Sequence, residues 1–233
     1  MKLFSFVLLL AGLAFAQPAQ TKIGAIVMGK VQTEQGAPAA GVWVTLVRDA
    51  IDPKSPPPPF TTGAPVWPDG SFVLTGLEPG AYHLCAGLPQ STWLNTCQWS
   101  TKPTAVKLVA EQIVEGVAMT IRKGVILPIR VEDPAQHISK NTGKAGAHIL
   151  IGITTDSGMF QPARIAATDA KGQDQEILVP AGTPVNVKVY SKFYKLADDK
   201  GKDMPASITN LGTTVAAGRP APKLKVVVTG VRP

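Results

Sequence analysis

The sequence is poor in cysteine, histidine, aromatic and charged residues. Of its 233 residues, two are cysteine and three are histidine, while aromatic residues make up 6% and charged residues 17%. The low charge density excludes a chain held open by self-repulsion. The histidines are far apart and the cysteine spacing is not that of a zinc site, so we predict no metal centre.

Sequence motifs of catalysis are also missing. The chain contains no G-x-S-x-G elbow, no phosphate-binding loop, no G-x-G-x-x-G fingerprint and no H-E-x-x-H pair. We therefore predict a protein that is not an enzyme, with no catalytic residue, cofactor or metal. An unrecognised hydrolase is the least favoured function, since a glycosidase can place its two acids far apart in sequence.

Turn-forming residues are abundant. The chain has 22 glycines and 21 prolines, and 45% of its residues are hydrophobic. This composition interrupts helices and supplies turns, while leaving enough apolar residues for a core. A helical bundle is excluded, and a globular protein of one large or two small domains is expected.

The first 16 residues have the features of a signal peptide. Lys2 precedes an apolar run over residues 3–13, and Ala14 and Ala16 form an A-x-A site. We predict cleavage after Ala16, which makes Gln17 the mature N-terminus and leaves no cysteine there for a lipid anchor. The run is shorter than the ~20 residues of a membrane span, and no second run follows. We expect an exported protein, periplasmic or extracellular, without a transmembrane anchor.

The two cysteines, Cys85 and Cys97, both lie in the exported part. An oxidising compartment favours a disulfide between them. The residues between them include Gly87, Pro89 and Asn95, which can turn the chain back. We predict that this pair forms a disulfide bond.

Short β-branched runs separated by turn signals predict an all-β protein. We expect two consecutive Ig-like or transthyretin-like β-sandwich domains, residues 17–122 and 123–233, after the signal peptide of residues 1–16. Segment 52–65 holds six prolines and is predicted to be an unpaired loop, as is segment 197–222. Pro128 should restrict its strand to a sheet edge or a bulge. The predicted strands are 23–31, 41–48, 71–77, 81–86, 104–109, 113–121, 124–132, 148–155, 163–168, 175–178, 185–190 and 223–228.

The first half resembles a known family. Its motifs are similar to those of the carboxypeptidase regulatory-like domain. This resemblance implies a transthyretin-like β-sandwich, close in shape to Cna-B repeats and starch-binding-like folds. Such domains are commonly accessory modules, so the resemblance implies a fold and no activity. The motifs are Gly29-Lys30-Val31, Gly36-Ala37-Pro38, the stretch from Gly41 to Leu46, Asp69-Gly70-Ser71-Phe72-Val73-Leu74, and the stretch from Leu77 to Leu84.

Three tryptophans are candidates for ligand stacking. Trp67, Trp93 and Trp99 fall in predicted loops, whereas Trp43 lies within a predicted strand. Loop aromatics can stack on sugar rings, which favours a carbohydrate-binding module as one function. In the packing alternative, Trp93 and Trp99 cover the disulfide and cap a small core.

The positive charge is concentrated at the C-terminal end. Residues 17–185 hold thirteen basic and thirteen acidic side chains, while residues 186–233 hold nine basic and three acidic ones. A basic surface attracts polyanions, but it also discourages edge pairing of exposed strands. Export argues against nucleic acid and leaves a protein or a cell-surface polymer, including polysaccharide, as the partner. We predict a structural or interaction protein, with carbohydrate binding as the alternative function.

Overall fold

The computed structural model describes residues 24–49, 61–89, 91–216 and 218–233. The predicted signal peptide and its cleavage site lie outside the described residues, as does most of the proline-rich segment.

Seven strands make up the first half of the described chain, and we call them the first sandwich. They are β1 (Ala25–Thr33), β2 (Trp43–Arg48), β3 (Thr61–Pro65), β4 (Ser71–Leu77), β5 (Gly80–Gly87), β6 (Thr104–Leu108) and β7 (Ile113–Ile121). One sheet has the order β4-β1-β7, with β1 antiparallel to β4 and parallel to β7. The other sheet, β3-β2-β5-β6, is antiparallel throughout.

Alternating side chains from both sheets form the first core. Val44 and Leu46 of β2 are fully buried, and they share one cluster with Phe72 of β4 and Leu84 of β5. Tyr82 belongs to the same cluster, and its hydroxyl donates a hydrogen bond to the Glu78 carbonyl. The period of two therefore places one face of each strand in the core, as in a sandwich of two sheets.

Ten strands and one short helix make up the second half, and we call them the second sandwich. They are β8 (Gly124–Glu132), α1 (His137–Lys140), β9 (Leu150–Thr154), β10 (Phe160–Pro162), β11 (Arg164–Asp169), β12 (Gly172–Pro180), β13 (Pro184–Tyr190), β14 (Tyr194–Ala197), β15 (Asp203–Met204), β16 (Thr209–Thr214) and β17 (Leu224–Val231). The sheets have the orders β10-β9-β13-β16 and β11-β12-β8-β17-β14-β15.

The second core lies between these two sheets. Ile153 of β9 and Val187 of β13 pack in one cluster with Ile129 of β8 and Val226 of β17, and all four side chains are buried. The predicted class, two consecutive β-sandwiches in an all-β chain, is confirmed. Within the described residues, no helix combines the length and the apolar composition that crossing a bilayer requires.

The prediction that segment 52–65 is unpaired was wrong at its C-terminal end. Residues 61–65 form β3, which pairs antiparallel with β2, and Trp43 is opposite Pro65. β3 is the outermost strand of its sheet. Proline is tolerated there because an edge strand needs hydrogen bonds on one side only. The rest of the segment, through residue 60, lies outside the described residues.

Two expectations for the second half were also wrong in part. β8 lies inside its sheet rather than at an edge, but β17 pairs only with Ile129–Glu132. The stretch through Pro128 therefore has one neighbouring strand, β12, which explains why proline is accepted in an interior strand. Segment 197–222 contains β15 and β16 instead of being loop throughout, and β16 pairs with β13 over six residue pairs.

Candidate functional site

The loop between β5 and β6, residues 88–103, is tied to the first sandwich, and we call it the junction loop. The predicted disulfide between Cys85 of β5 and Cys97 is confirmed, with the two Cα atoms 5.1 Å apart. Thr96 reinforces it, because its backbone N–H donates to the Ala86 carbonyl and its hydroxyl accepts from the Ala86 N–H. Asn95 Oδ1 accepts hydrogen bonds from the backbone N–H groups of Cys97 and Gln98, which closes the turn.

The same loop contributes two side chains to the core of the second sandwich. Leu94 is 1% exposed and Trp99 is 7% exposed, and both belong to the hydrophobic cluster of the second sandwich. A Cβ built on Gly124, the first residue of β8, would lie 2.7 Å from Leu94 Cδ2 and 2.7 Å from Leu178 Cγ. A side chain at this position would force Leu94 or Leu178 to shift, so glycine allows the loop to pack closely against the second sandwich.

Backbone hydrogen bonds and one ion pair also cross the junction. The Gly124 N–H donates to the Thr92 carbonyl, and the Ser157 N–H donates to the Gln98 carbonyl. The Arg122 guanidinium lies 3.6 Å from the Asp156 carboxylate and donates to the Trp99 carbonyl at 3.3 Å. The two sandwiches are therefore joined by a shared core as well as by the short connection between β7 and β8.

A cleft of about 630 Å³ lies where the junction loop meets both sandwiches. Its lining includes Trp43 at the start of β2 and Trp93 and Trp99 of the junction loop. The second sandwich contributes Gln161 of β10, Arg164 of β11, and Glu176 and Leu178 of β12. The volume falls within the ~300–1,000 Å³ typical of small-ligand sites.

The tryptophans of the cleft differ in exposure. Trp43 is 45% exposed, and the Lys123 ammonium lies 5.4 Å from the centre of the partly buried Trp93 ring. Trp99 is buried in the second core while it also lines the cleft. Trp67 is 52% exposed and does not line the cleft. The structure thus brings together two of the three nominated tryptophans and adds Trp43.

The polar groups of the cleft are paired or uncharged. Arg164 Nη2 lies 2.6 Å from Glu176 Oε2, and these residues are direct cross-strand partners in β11 and β12. Gln161 Oε1 is buried and has no hydrogen-bond partner among the described residues. The charges lining the cleft therefore cancel, and the amide side chains of Gln98 and Gln161 add uncharged polar groups to its lining.

The hydroxyl groups of the cleft are held by the backbone. Ser91 Oγ donates to the Leu88 carbonyl at 2.6 Å and accepts from the Trp93 N–H. Thr45 Oγ1 donates to the Cys85 carbonyl. These hydroxyls stabilise the local chain, and no histidine stands beside them in the described lining. Among described residues, no group of three or more metal-ligating side chains is present.

The acids with displaced pKa values lie outside the cleft lining. A hydrogen bond from the Ser71 hydroxyl lowers the pKa of Asp69, in the turn before β4. The Arg130 guanidinium donates to Asp169 at 2.9 Å and lowers the pKa of that carboxyl. Burial raises the pKa of Tyr194 in the second core. These shifts belong to turns, sheet surface and core rather than to a reaction centre.

The basic C-terminal stretch is partly neutralised by neighbours. Lys225 Nζ lies 2.8 Å from Glu132 Oε2, and Lys223 Nζ lies 3.9 Å from Asp174 Oδ1. The Arg232 guanidinium donates to two backbone carbonyls. Lysines 192, 195, 200 and 202 are exposed. A polyanionic partner for this surface stays a prediction.

No protein-family profile and no curated protein matches the sequence. A streptococcal ancillary pilin is 14% identical and has a TM-score of 0.38, over 92% of this chain and 64% of the pilin. A minor pilin of Streptococcus agalactiae is 13% identical, with a TM-score of 0.33, over 90% of this chain and 99% of that one. A 3-chlorocatechol 1,2-dioxygenase from Rhodococcus opacus is 14% identical, with a TM-score of 0.30, over 45% of this chain and 62% of the enzyme.

The chain spans less than two thirds of the length of the ancillary pilin and of the dioxygenase. Identities and TM-scores this low assign no function, and the β-sandwich fold is established by the chain's own strands. The sandwich that the carboxypeptidase regulatory-like resemblance implies is present, while membership of that family stays a prediction.

Proposed function

We propose that this chain is an exported, non-enzymatic interaction protein of the periplasm or the cell exterior, in which two β-sandwich domains act as one unit. The domains of this proposal are residues 17–122 and 123–233, following a signal peptide of residues 1–16. The observation that carries it is the packing of Leu94 and Trp99, from a loop of the first domain, in the core of the second. Such a shared core holds the faces of both domains in a fixed arrangement, which suits a contact surface.

Two further observations support this proposal. The Cys85–Cys97 disulfide persists in oxidising compartments, which agrees with export. The cleft's cation and anion, Arg164 and Glu176, are paired with each other rather than aimed at a shared reacting position. Ser91 Oγ is held by the Leu88 carbonyl, so the described cleft offers no activated nucleophile.

A co-sedimentation experiment tests the proposal. The mature chain, residues 17–233, is mixed with insoluble polysaccharides, purified cell wall and envelope membranes at low and at physiological salt. We expect saturable retention on one fraction and no release of soluble products from it. Retention that disappears at physiological salt would assign binding to the basic C-terminal surface instead of the cleft, because screening weakens exposed charge contacts. Product release in proportion to protein concentration would contradict the non-enzymatic role.

Carbohydrate binding is the second candidate function. Trp67, Trp93 and Trp99 were the candidates from the sequence, and the observation that favours this function is the cleft that gathers Trp93 and Trp99 with Trp43. Trp67 lies outside the lining and serves as an internal control for it.

A further inference from the structure

We propose that the cleft at the junction binds a short, uncharged oligosaccharide. Trp43 and Trp93 stack on its sugar rings, and the polar side chains of the lining contact its hydroxyl groups. This inference rests on the proposed function, since it names the chemistry of the partner that the interaction surface receives.

The aromatic side of the cleft is built to present flat surfaces. Trp43 is the first residue of β2, and its Cε3 atom would lie 3.4 Å from a Cβ on Gly63 of β3. The indole therefore lies beside the neighbouring strand, and it remains 45% exposed. An exposed indole offers a flat apolar surface on which the apolar face of a sugar ring can stack.

Trp93 has a fixed position in the same wall. Its backbone N–H donates to Ser91 Oγ, and its β-bridge to Lys123 ties it to the segment that joins the two sandwiches. The Lys123 ammonium lies 5.4 Å from the ring centre, a cation–π distance. The ring is therefore positioned before any ligand arrives, which reduces the entropy lost on binding.

Trp99 has a different role from these two. It is 7% exposed and packs in the core of the second sandwich. Its indole therefore anchors the junction loop to the second sandwich, and Trp99 is a positioning residue for the stacking residues Trp43 and Trp93.

The polar side chains that line the cleft favour an uncharged ligand rich in hydroxyl groups. Arg164 and Glu176 are 2.6 Å apart and neutralise each other, so the lining has no excess charge of either sign. The amides of Gln98 in the junction loop and Gln161 in β10 belong to the lining, and an amide, like a sugar hydroxyl, combines hydrogen-bond donors with an acceptor. A uronate or phosphate would meet the Glu176 carboxylate beside the Arg164 guanidinium, so the pair presents no net positive charge to attract an anion.

Isothermal titration calorimetry with the mature chain tests this assignment. The probes are neutral hexasaccharides of glucose, xylose, mannose and N-acetylglucosamine, with hexagalacturonate and a proline-rich peptide as comparisons. We expect saturable binding of at least one neutral probe, with an affinity that does not change between low and physiological salt. Binding of only hexagalacturonate or only the peptide would overturn the assignment, as would no binding of any neutral probe.

Matched variants locate the binding. Trp43→Ala should weaken binding about tenfold or more, since a stacked aromatic face is lost, while Trp67→Ala should leave it unchanged. Gln161→Leu should weaken binding, because it removes an amide from the lining. It should not lower the melting temperature, because the buried oxygen that is lost has no hydrogen-bond partner in the described chain. Equal affinity of the Trp43→Ala and wild-type proteins would overturn the proposal.

Calorimetry and co-sedimentation together separate this inference from the proposed function. If no glycan binds but the envelope co-sedimentation remains saturable at physiological salt, the interaction role stands and the oligosaccharide assignment falls. If both fail, the cleft is not the contact surface and the proposed function falls as well.

Discussion

Replacing Trp99 by alanine should destabilise the whole protein more than any other tryptophan substitution. The indole is 7% exposed and lies in the second core, although it is carried by a loop tied to the first sandwich. Truncation of a buried tryptophan to alanine costs about 3–5 kcal/mol, from lost burial and from the cavity that remains. In a chain of 233 residues, 1 kcal/mol lowers the melting temperature by about 2–4 °C, so the expected fall is about 6–20 °C.

Thermal and urea unfolding, followed by circular dichroism, measure this effect. Trp67→Ala is the matched control, because Trp67 is 52% exposed and should cost less than about 1 kcal/mol. A Trp99→Ala protein that melts within about 3 °C of the Trp67→Ala protein would refute the shared core.

Three other substitutions probe the junction and the surface. Replacing Cys85 and Cys97 together by serine should lower stability by about 3 kcal/mol, the chain-entropy value for a loop of this size, as measured by urea unfolding. Gly124→Ala should cost about 1–3 kcal/mol in the same assay, because the new methyl group meets two leucine side chains at 2.7 Å. Asp169 has a lowered pKa because Arg130 donates to it, so its contribution is present above the ordinary aspartate pKa and is lost as pH falls through the lowered value. Asp169→Asn should therefore reduce the loss of melting temperature as the pH falls below the ordinary aspartate pKa.

Each of these three predictions has a result that would contradict it, and Gly124→Ala also has a matched control. Gly230→Ala in β17 should be tolerated better than Gly124→Ala, because its nearest neighbour would be Lys195 Cδ at 3.7 Å. Equal losses for the two glycines would argue against tight packing at the junction. A double cysteine variant as stable as the wild type would show that the loop is held without the disulfide. If the melting temperature of Asp169→Asn falls at acid pH as much as that of the wild type, the Asp169 carboxylate does not contribute to the pH dependence of stability.

Regular strands could be predicted from the sequence because alternation of apolar residues is a local signal. Strands 71–77, 113–121 and 124–132 were predicted with the bounds that the structure shows. β10 and β15 have only three and two residues, which is too short for a period to appear. Their pairing depends on the neighbouring strands that the fold supplies.

The position of Pro128 illustrates a second limit. Proline removes a hydrogen-bond donor, so the sequence indicates that one side of the strand is unpaired there. It does not indicate that β17 begins its pairing one residue later, at Ile129. The unpaired backbone at Pro128 was therefore predictable, whereas the position of β8 inside the sheet depends on where β17 begins to pair with it.

The candidate cleft was predictable only in part. The sequence selected Trp93 and Trp99, together with Trp67, because they fall in predicted loops. It missed Trp43, whose place beside the loop comes from its pairing with Gly87 at the end of β5. Arg164 and Glu176 lie far along the chain and reach the cleft only through the packing of two sandwiches. Such long-range register has no local signature.

The most direct test of the interaction role is site-specific photo-crosslinking in the cell envelope of the native host. A photoreactive amino acid is placed at position 89, an exposed residue that lines the cleft and has no proposed contact with the ligand, or at position 67, which is exposed but outside the lining. We expect a discrete adduct with an envelope component from position 89 and none from position 67. No adduct from position 89, or equal labelling from both positions, would contradict the account.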